Sequence, residues 1–395
     1  MKLSQRTAWP VADGRWAQAR PPTPDALDLT TSNPTAVGLV HPPGILESLA
    51  DPEASRYDPR PLGLPQAQRA VASYYGQRGR RVDPDRVWLC ASTSEAYARL
   101  LTLLCDPGDA VAVAQPGYPL LDMLGDVAGV RRVPYPLAYD GAWHLDRAGL
   151  HAALHRDPSI RALVVIAPHN PTGHVPSSAE WQVLVDVARR HELALLVDEV
   201  FADYRLSADP SWLDVETADV TTVVLSGLSK VAALPQLKLS WAVFHGSSDE
   251  LDELRRRAEL LADAFLSVAT PVQRALPALL AAADDLQPRI RERLQTNLQI
   301  LREAVAGRPV DLLPVTAGWT ALLRLPTIEG LDDIGWALQL LSVGVRVDPG
   351  FLFDLPAPPR VAVSLLTPPA TMTEGIERLL DHVDAVVRGA SAPRA

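Results

Sequence analysis

From Val87 to Phe244 the chain alternates short, nearly unbroken apolar runs with amphipathic stretches. The runs are 87–90, 110–114, 162–167, 193–197, 221–225 and 239–244. Runs without polar alternation are typical of strands covered on both faces. After the first run, Ala96, Leu100, Leu103 and Leu104 fall at i, i+4, i+7 and i+8, which predicts one face of a helix. Segments 146–156, 179–191 and 251–269 fit further helices, and Val71, Tyr74 and Tyr75 fit the inner face of an earlier one. This alternation predicts an α/β domain whose mostly parallel sheet is flanked by helices. The direction of the strand at 239–244 is not fixed by its periodicity.

The flanks read differently. Residues 1–47 are rich in proline and polar residues, with Trp9 and Trp16 as anchors, and predict an arm laid on the body. Residues 57–63 form a turn-rich segment. Beyond Pro288 come a charged helix around 289–305, strand-like runs at 319–325, 343–347 and 361–365, and a helix at 373–388. That pattern predicts a smaller α+β domain with a frayed tail at 390–395. The expected organisation is therefore an arm (1–47), a large domain (48–287) and a small C-terminal domain (288–395). A length of 395 residues agrees with two domains.

Composition narrows the function classes. With 37 Lys+Arg against 47 Asp+Glu, the net charge is −10, and no basic run offers a footprint for nucleic acid or an anionic membrane. Two cysteines, Cys90 and Cys105, lie in apolar runs as expected of buried free thiols, which fits a reducing compartment. The first 20 residues carry no hydrophobic core of signal-peptide length, and no apolar run reaches the roughly 18 residues of a membrane span. The expected location is the cytoplasm.

Candidate chemistry gathers at the strand ends. Ser92–Ser94, Tyr118, Asn170, Asp198 and Lys230 each follow or close the carboxyl end of a predicted strand, where ligands bind in open α/β sheets. Lys230 lies among Val, Leu, Ala, Ser and Gly, so desolvation should lower its pKa and make its amine nucleophilic. Asp198 closes an apolar run, a costly place for a carboxylate unless it faces a cation. Ser92, Thr93 and Ser94 at a helix start offer N–H groups, hydroxyls and the positive helix end to a phosphate, or else simply cap the helix.

The segment Ser226-Gly-Leu-Ser-Lys230, with a cation eight residues on at Lys238, resembles the cofactor-lysine motif of the fold-type I pyridoxal phosphate (PLP) enzymes, the class I/II aminotransferases in particular. Ala91-Ser-Thr-Ser-Glu-Ala96, Pro116-Gly-Tyr118, His169-Asn-Pro-Thr-Gly173 and Val197-Asp-Glu-Val-Phe201 match the same family in the same order. The resemblance extends from Ser32-Asn-Pro-Thr35 to Arg360-Val-Ala-Val-Ser364.

The resemblance implies a PLP-dependent aminotransferase that moves an amino group between an amino acid and a 2-oxo acid by a ping-pong scheme. Lys230 would carry the cofactor as an internal aldimine and shuttle the substrate Cα proton, and Asp198 would pair with the pyridine nitrogen. Tyr118 would stack on the ring and Asn170 would bond its 3′-oxygen and the substrate. Ser92, Thr93, Ser94, Ser229 and Lys238 would hold the phosphate, with Tyr57 reaching it across a homodimer interface. Arg360 would pair with the substrate α-carboxylate. The sequence departs from the family pattern at Ser92 (usually glycine), Phe201 (usually tyrosine), Gln236 (usually glycine) and Lys238 (usually arginine). A lyase, decarboxylase or cyclase with the same cofactor remains the alternative reading. A ligand-sensing domain without turnover is disfavoured by the lack of an attached DNA-binding module.

Overall fold

The computed structural model describes residues 3–9, 14–21, 25–207 and 219–391. Residues 22–24 of the proline cluster and 392–395 of the expected frayed tail lie outside the described residues. The arm contributes a short helix α1 (Gly14–Gln18) and a two-residue strand β1 (Leu27–Asp28). Its tryptophans do anchor it: Trp9 donates its indole N–H to Asp126 at 2.9 Å, and Trp16 packs on the small-domain core.

The large domain runs α2 (Pro65–Gln77), β2 (Val87–Cys90), α3 (Thr93–Leu104), β3 (Ala110–Gln115), α4 (Leu120–Ala128), β4 (Arg131–Tyr139), β5 (Trp143–Leu145) and α5 (Arg147–Arg156). It continues through β6 (Ile160–Ile166), α6 (Ser178–Arg190), β7 (Ala194–Asp198), β8 (Thr222–Gly227), the single turn α7 (Leu228–Val231), β9 (Ser240–His245) and α8 (Ser248–Phe265). The strands form one sheet in the order β2-β9-β8-β7-β6-β3-β4-β5. Strands β8, β7, β6, β3 and β4 are parallel; β9 is antiparallel to both its neighbours, which settles its direction.

The unbroken apolar runs arise because alternate residues enter different cores. Leu163 and Val165 of β6 face one helical layer, while Ala162 and Val164 face the other, and Leu195/Val197 against Ala194/Leu196 of β7 do the same. Each fully buried Val or Leu contributes about 1.5–3 kcal/mol relative to exposure. Helix α4 and the strands β4 and β5 are not foreseen by the sequence pattern. Pro134 and Pro136 interrupt β4 as a sequence signal, yet near the edge of a sheet a strand tolerates the missing donors.

The boundary expected at residue 288 falls inside a helix. One helix, α9 (Thr270–Val305), runs through Pro288 without interruption. Its Leu276, Leu279 and Ala283 enter a large-domain core, and its Ile290, Leu294, Leu298 and Leu301 enter the small-domain core. The same helix is therefore a spine for both bodies, and burial on both sides offsets the hydrogen bond that the proline removes. The small domain adds β10 (Asp311–Leu312), β11 (Thr320–Arg324), α10 (Asp333–Ser342), β12 (Val345–Arg346), β13 (Asp348–Pro349), β14 (Arg360–Ser364) and α11 (Pro369–Ser391). An antiparallel sheet of order β10-β11-β14-β13 forms its centre, and β1 of the arm pairs in parallel with β12.

Candidate active site

The arm, the carboxyl-end loops of the large sheet and the small-domain sheet enclose a cavity of about 400 Å³. Thr93, Tyr118, Asn170, Asp198, Phe201 and Lys230 line it from the large domain, as the convergence of strand ends predicts. Trp319, Thr320, Asp348 and Ala362–Ser364 line it from the small domain, and Thr30 and Ser32 from the arm.

Asp198 closes β7 and is buried. Its carboxylate accepts from the Tyr97 hydroxyl and from the Val200 N–H, both at 3.1 Å. Burial raises its pKa to about 6, against the pull of those two bonds and of Lys230. Tyr97 was not singled out by the sequence pattern. Its place one helical turn after Thr93, on the same face of α3, is the signal that could have found it.

Lys230 sits in the turn α7 directly after β8. Its Nζ lies 4.5 Å from the centroid of the Trp319 ring and 5.2 Å from that of Phe201, whose own rings meet edge to face at 5.4 Å. This enclosure lowers the amine to about 8, with the charge of Asp198 opposing the shift. The Tyr204 hydroxyl donates to the Lys230 carbonyl at 2.6 Å and so holds the turn. Gly227 is required where β8 meets β9, since a Cβ there would lie 2.7 Å from that of Ser240. In the turn after β6, Thr320 donates to the Asn170 side-chain oxygen at 3.2 Å, which leaves the amide N–H groups for a ligand.

Other expected residues are placed differently. Ser92 caps α3, its hydroxyl accepting from the Glu95 N–H at 3.1 Å, so this oxygen already has a structural task. Ser94 and Ser229 are half-buried and do not line the cavity. Lys238 is exposed and holds a left-handed φ of 54°, a conformation unfavourable for a side chain with a Cβ. Tyr57 is 76% exposed on the loop before α2. Arg360 departs furthest from expectation. It is buried, but its guanidinium donates to the carbonyls of Pro356 and Pro358 and lies 5.9 Å from the Trp143 ring centroid. Ala362, two residues along the same face of β14, lines the cavity instead. The proline-rich loop before β14 supplies acceptors close to the guanidinium, and the expected carboxylate-binding cation is not among the residues that line the cavity.

The donor set fits PLP. A desolvated amine follows one strand and a buried acid ends its neighbour, Tyr118 lines the same cavity, and Thr93 opens a 12-residue helix there. Ser226, four residues before Lys230, has a buried hydroxyl without a partner among the described residues. The family model for aminotransferases of class I and II matches residues 27–379. The chain belongs to this family. Members of the family use PLP, and the class I and II aminotransferases include several relatives of this chain. An alanine aminotransferase of Mycobacterium tuberculosis is 29% identical over 371 residues, spanning 89% of this chain and 84% of the relative. A tyrosine aminotransferase of Mus musculus is 26% identical over 379 residues, spanning 92% and 82%. The crystal structure of a tyrosine aminotransferase from Leishmania infantum superposes with a TM-score of 0.84 at 22% identity, covering 95% of this chain and 99% of that one, a likeness of fold.

Both thiols are free and buried, as the sequence suggests. Burial pushes Cys90 up to about 12 and Cys105 to about 11, which makes both poor nucleophiles. No helix of the described residues is long and apolar enough to cross a membrane.

Proposed function

We propose that this aminotransferase moves an amino group from an amino acid to a 2-oxo acid in a ping-pong scheme that turns on Lys230. The observation that carries the reading is the pairing of Lys230 and Asp198 at the ends of neighbouring strands, one a weakened base and the other a buried acid. A lysine lowered to about 8 presents a usable fraction of neutral amine near physiological pH. Lys230 would hold the cofactor through its amine and, once released, take and return the proton at the substrate Cα. Asp198 would hold the proton on the pyridine nitrogen, with Tyr97 and the Val200 N–H fixing the carboxylate. Bound PLP supplies an electron sink for the pair left when the Cα–H bond breaks. Tyr118 would cover a ring face and Asn170 would donate to the 3′-oxygen and meet the substrate. Thr93, the α3 N-terminus with Ser92 and Ser94, Ser229 and Lys238 would neutralise the phosphate.

The same reading makes the active form a cytoplasmic homodimer, with the exposed Tyr57 of one copy completing the phosphate site of the other. The chain has only three lysines, Lys2, Lys230 and Lys238, which makes the assignment easy to check. Borohydride reduction of the PLP-loaded protein followed by peptide mapping should place the cofactor on Lys230. Lys230→Ala should lose the visible absorbance while keeping its circular dichroism. Cofactor fixed to Lys238 or Lys2 would overturn the proposal.

A further inference from the structure

The active-site cavity holds one carboxylate with no task in the reaction proposed above. Asp348 lies in β13 directly opposite Ala362 of β14, and both line the cavity. Residues paired across antiparallel strands present their side chains on the same face. The small methyl of Ala362 therefore leaves room between the Asp348 carboxylate and the cavity. Among the described residues no hydrogen bond or ion pair is made by this carboxylate, although it is largely shielded from solvent. Burial and the neighbouring Asp28 push its pKa up to about 6, and Arg346, across from Asp28 on β12, only partly opposes them. Asp28 itself is occupied, accepting from the N–H and the hydroxyl of Thr30, both at 2.7 Å.

No cation of the cavity serves Asp348. Among the described residues Lys230 is the only lysine or arginine in the lining, and the charge acting on it is that of Asp198. Arg360 lies on the Ala362 side of β14 but is drawn off to the Pro356 and Pro358 carbonyls. The arm and small-domain side of the cavity thus combines a shielded, unpaired carboxylate with the hydroxyls of Thr30, Ser32 and Ser364. A second carboxylate on a substrate would meet like charge there, and a purely apolar side chain would leave the desolvated acid uncompensated.

We propose that Asp348 is a specificity-determining residue that selects amino donors carrying a second cationic group, an ammonium or guanidinium at the end of the side chain. The inference rests on the aminotransferase reading for Lys230 and Asp198 and adds a side-chain recognition role for Asp348. L-ornithine and L-norleucine are the discriminating pair, because they match in length and differ by an ammonium in place of a methyl group.

Two measurements on PLP-loaded protein test it. In the first, the half-reaction is followed by loss of the visible band with L-ornithine, L-norleucine and L-glutamate. Ornithine should react with the highest kcat/KM and glutamate with the lowest. Asp348→Asn should lower the ornithine value by roughly 10- to 100-fold, the loss expected for one hydrogen bond to a charged group, while leaving norleucine nearly unchanged. Asp348→Lys should raise glutamate above ornithine. In the second, calorimetry measures binding of the same three ligands, which needs no turnover. Ornithine should bind more tightly than norleucine in the wild type and equally in Asp348→Asn. Conversion of norleucine or glutamate in preference to ornithine, or an equal loss on all three in Asp348→Asn, would overturn the role of Asp348 and leave the aminotransferase reading intact. Failure of every donor to react would count against that reading, and the calorimetric ratio would still decide on Asp348.

Discussion

Asp198 and Glu199 are adjacent in sequence and both buried, yet they lie in two regions of opposite character. Glu199 faces a saturated network. Its carboxylate pairs with Arg80 at 2.7 Å and accepts from the Tyr75 hydroxyl at 2.6 Å, and that hydroxyl in turn accepts from the Trp241 indole at 3.1 Å. Nearby, Asp203 binds Arg78 at 2.7 Å, the Tyr74 hydroxyl at 2.9 Å and the Gln287 amide at 2.8 Å. These bonds tie α2, the loop after β7, β9 and the spine helix α9 together. Asp198, pointing to the other side, has two neutral donors and, among the described residues, no ion pair, and the cation that acts on it, Lys230, has lost basicity to burial. Buried charges that are fully paired are expensive to disturb and chemically quiet. Burial raises the Glu199 acid as well, but its oxygens are taken, whereas a group left short of charged partners keeps its shifted pKa available to a ligand.

This contrast can be broken from either side. The largest effect is expected from Asp198→Ala, which should lower transamination by several orders of magnitude and weaken PLP retention while leaving the fold intact. Near-native turnover in steady-state assays would remove Asp198 from the mechanism. Glu199→Gln should do the reverse. It leaves the largely shielded Arg80 charge unpaired, a loss of up to about 3–5 kcal/mol of stability, with turnover per folded molecule largely retained. Denaturant titration alongside active-site counting would separate the two outcomes, and an unchanged midpoint would show the network to be dispensable.

Phe201→Tyr should sharpen the picture of the reacting region. The ring lines the cavity 5.2 Å from the Lys230 amine, while Tyr204 is committed to the Lys230 carbonyl. If Lys230 carries the cofactor as proposed, a phenol at 201 would donate to the 3′-oxygen, where negative charge would rest once that linkage lost its proton. One such bond is worth roughly 1.5–3 kcal/mol, so the visible band should titrate about one to two pH units lower. A midpoint that stays put or moves up would place position 201 away from the cofactor.

The smallest effect concerns Lys230 in the cofactor-free protein. Its folded value of about 8 lies below the ordinary 10.5, so acylation at Lys230, read by peptide mapping, should rise with pH through about 8. Asp198→Asn removes the charge that favours the protonated amine, and the midpoint should fall further. A rise in that variant would contradict the assigned interaction.

Much of the reacting region was legible in the chain itself. The strands β2, β7 and β8, which lead to Ser92, Asp198 and Lys230, announce themselves by unbroken apolar runs, because a sheet covered on both faces admits few polar residues. The apolar neighbours of Lys230 point to its desolvation, but the rings that enclose the amine, Phe201 and Trp319, come from elsewhere in the chain. Strands β4 and β5 were hidden by Pro134 and Pro136, whose local signal is that of a breaker, and the spine helix was hidden by Pro288 in the same way.

What the sequence by itself determined, then, is the large α/β body, its crevice at the strand ends, and the amine and acid placed there, since each depends on contacts within or next to one element. What only the tertiary structure decided depends on residues far apart in the chain. Tyr97 reaches Asp198 from 101 positions away, and Thr320 reaches Asn170 across 150. Asp348 shares the cavity only because β13 pairs with β14 opposite an alanine. Arg360 is lost to the cavity because the preceding loop folds its carbonyls onto the guanidinium. Periodicity records which face of an element is buried, whereas the partner of a polar side chain is fixed by packing between elements, and no local pattern carries that information.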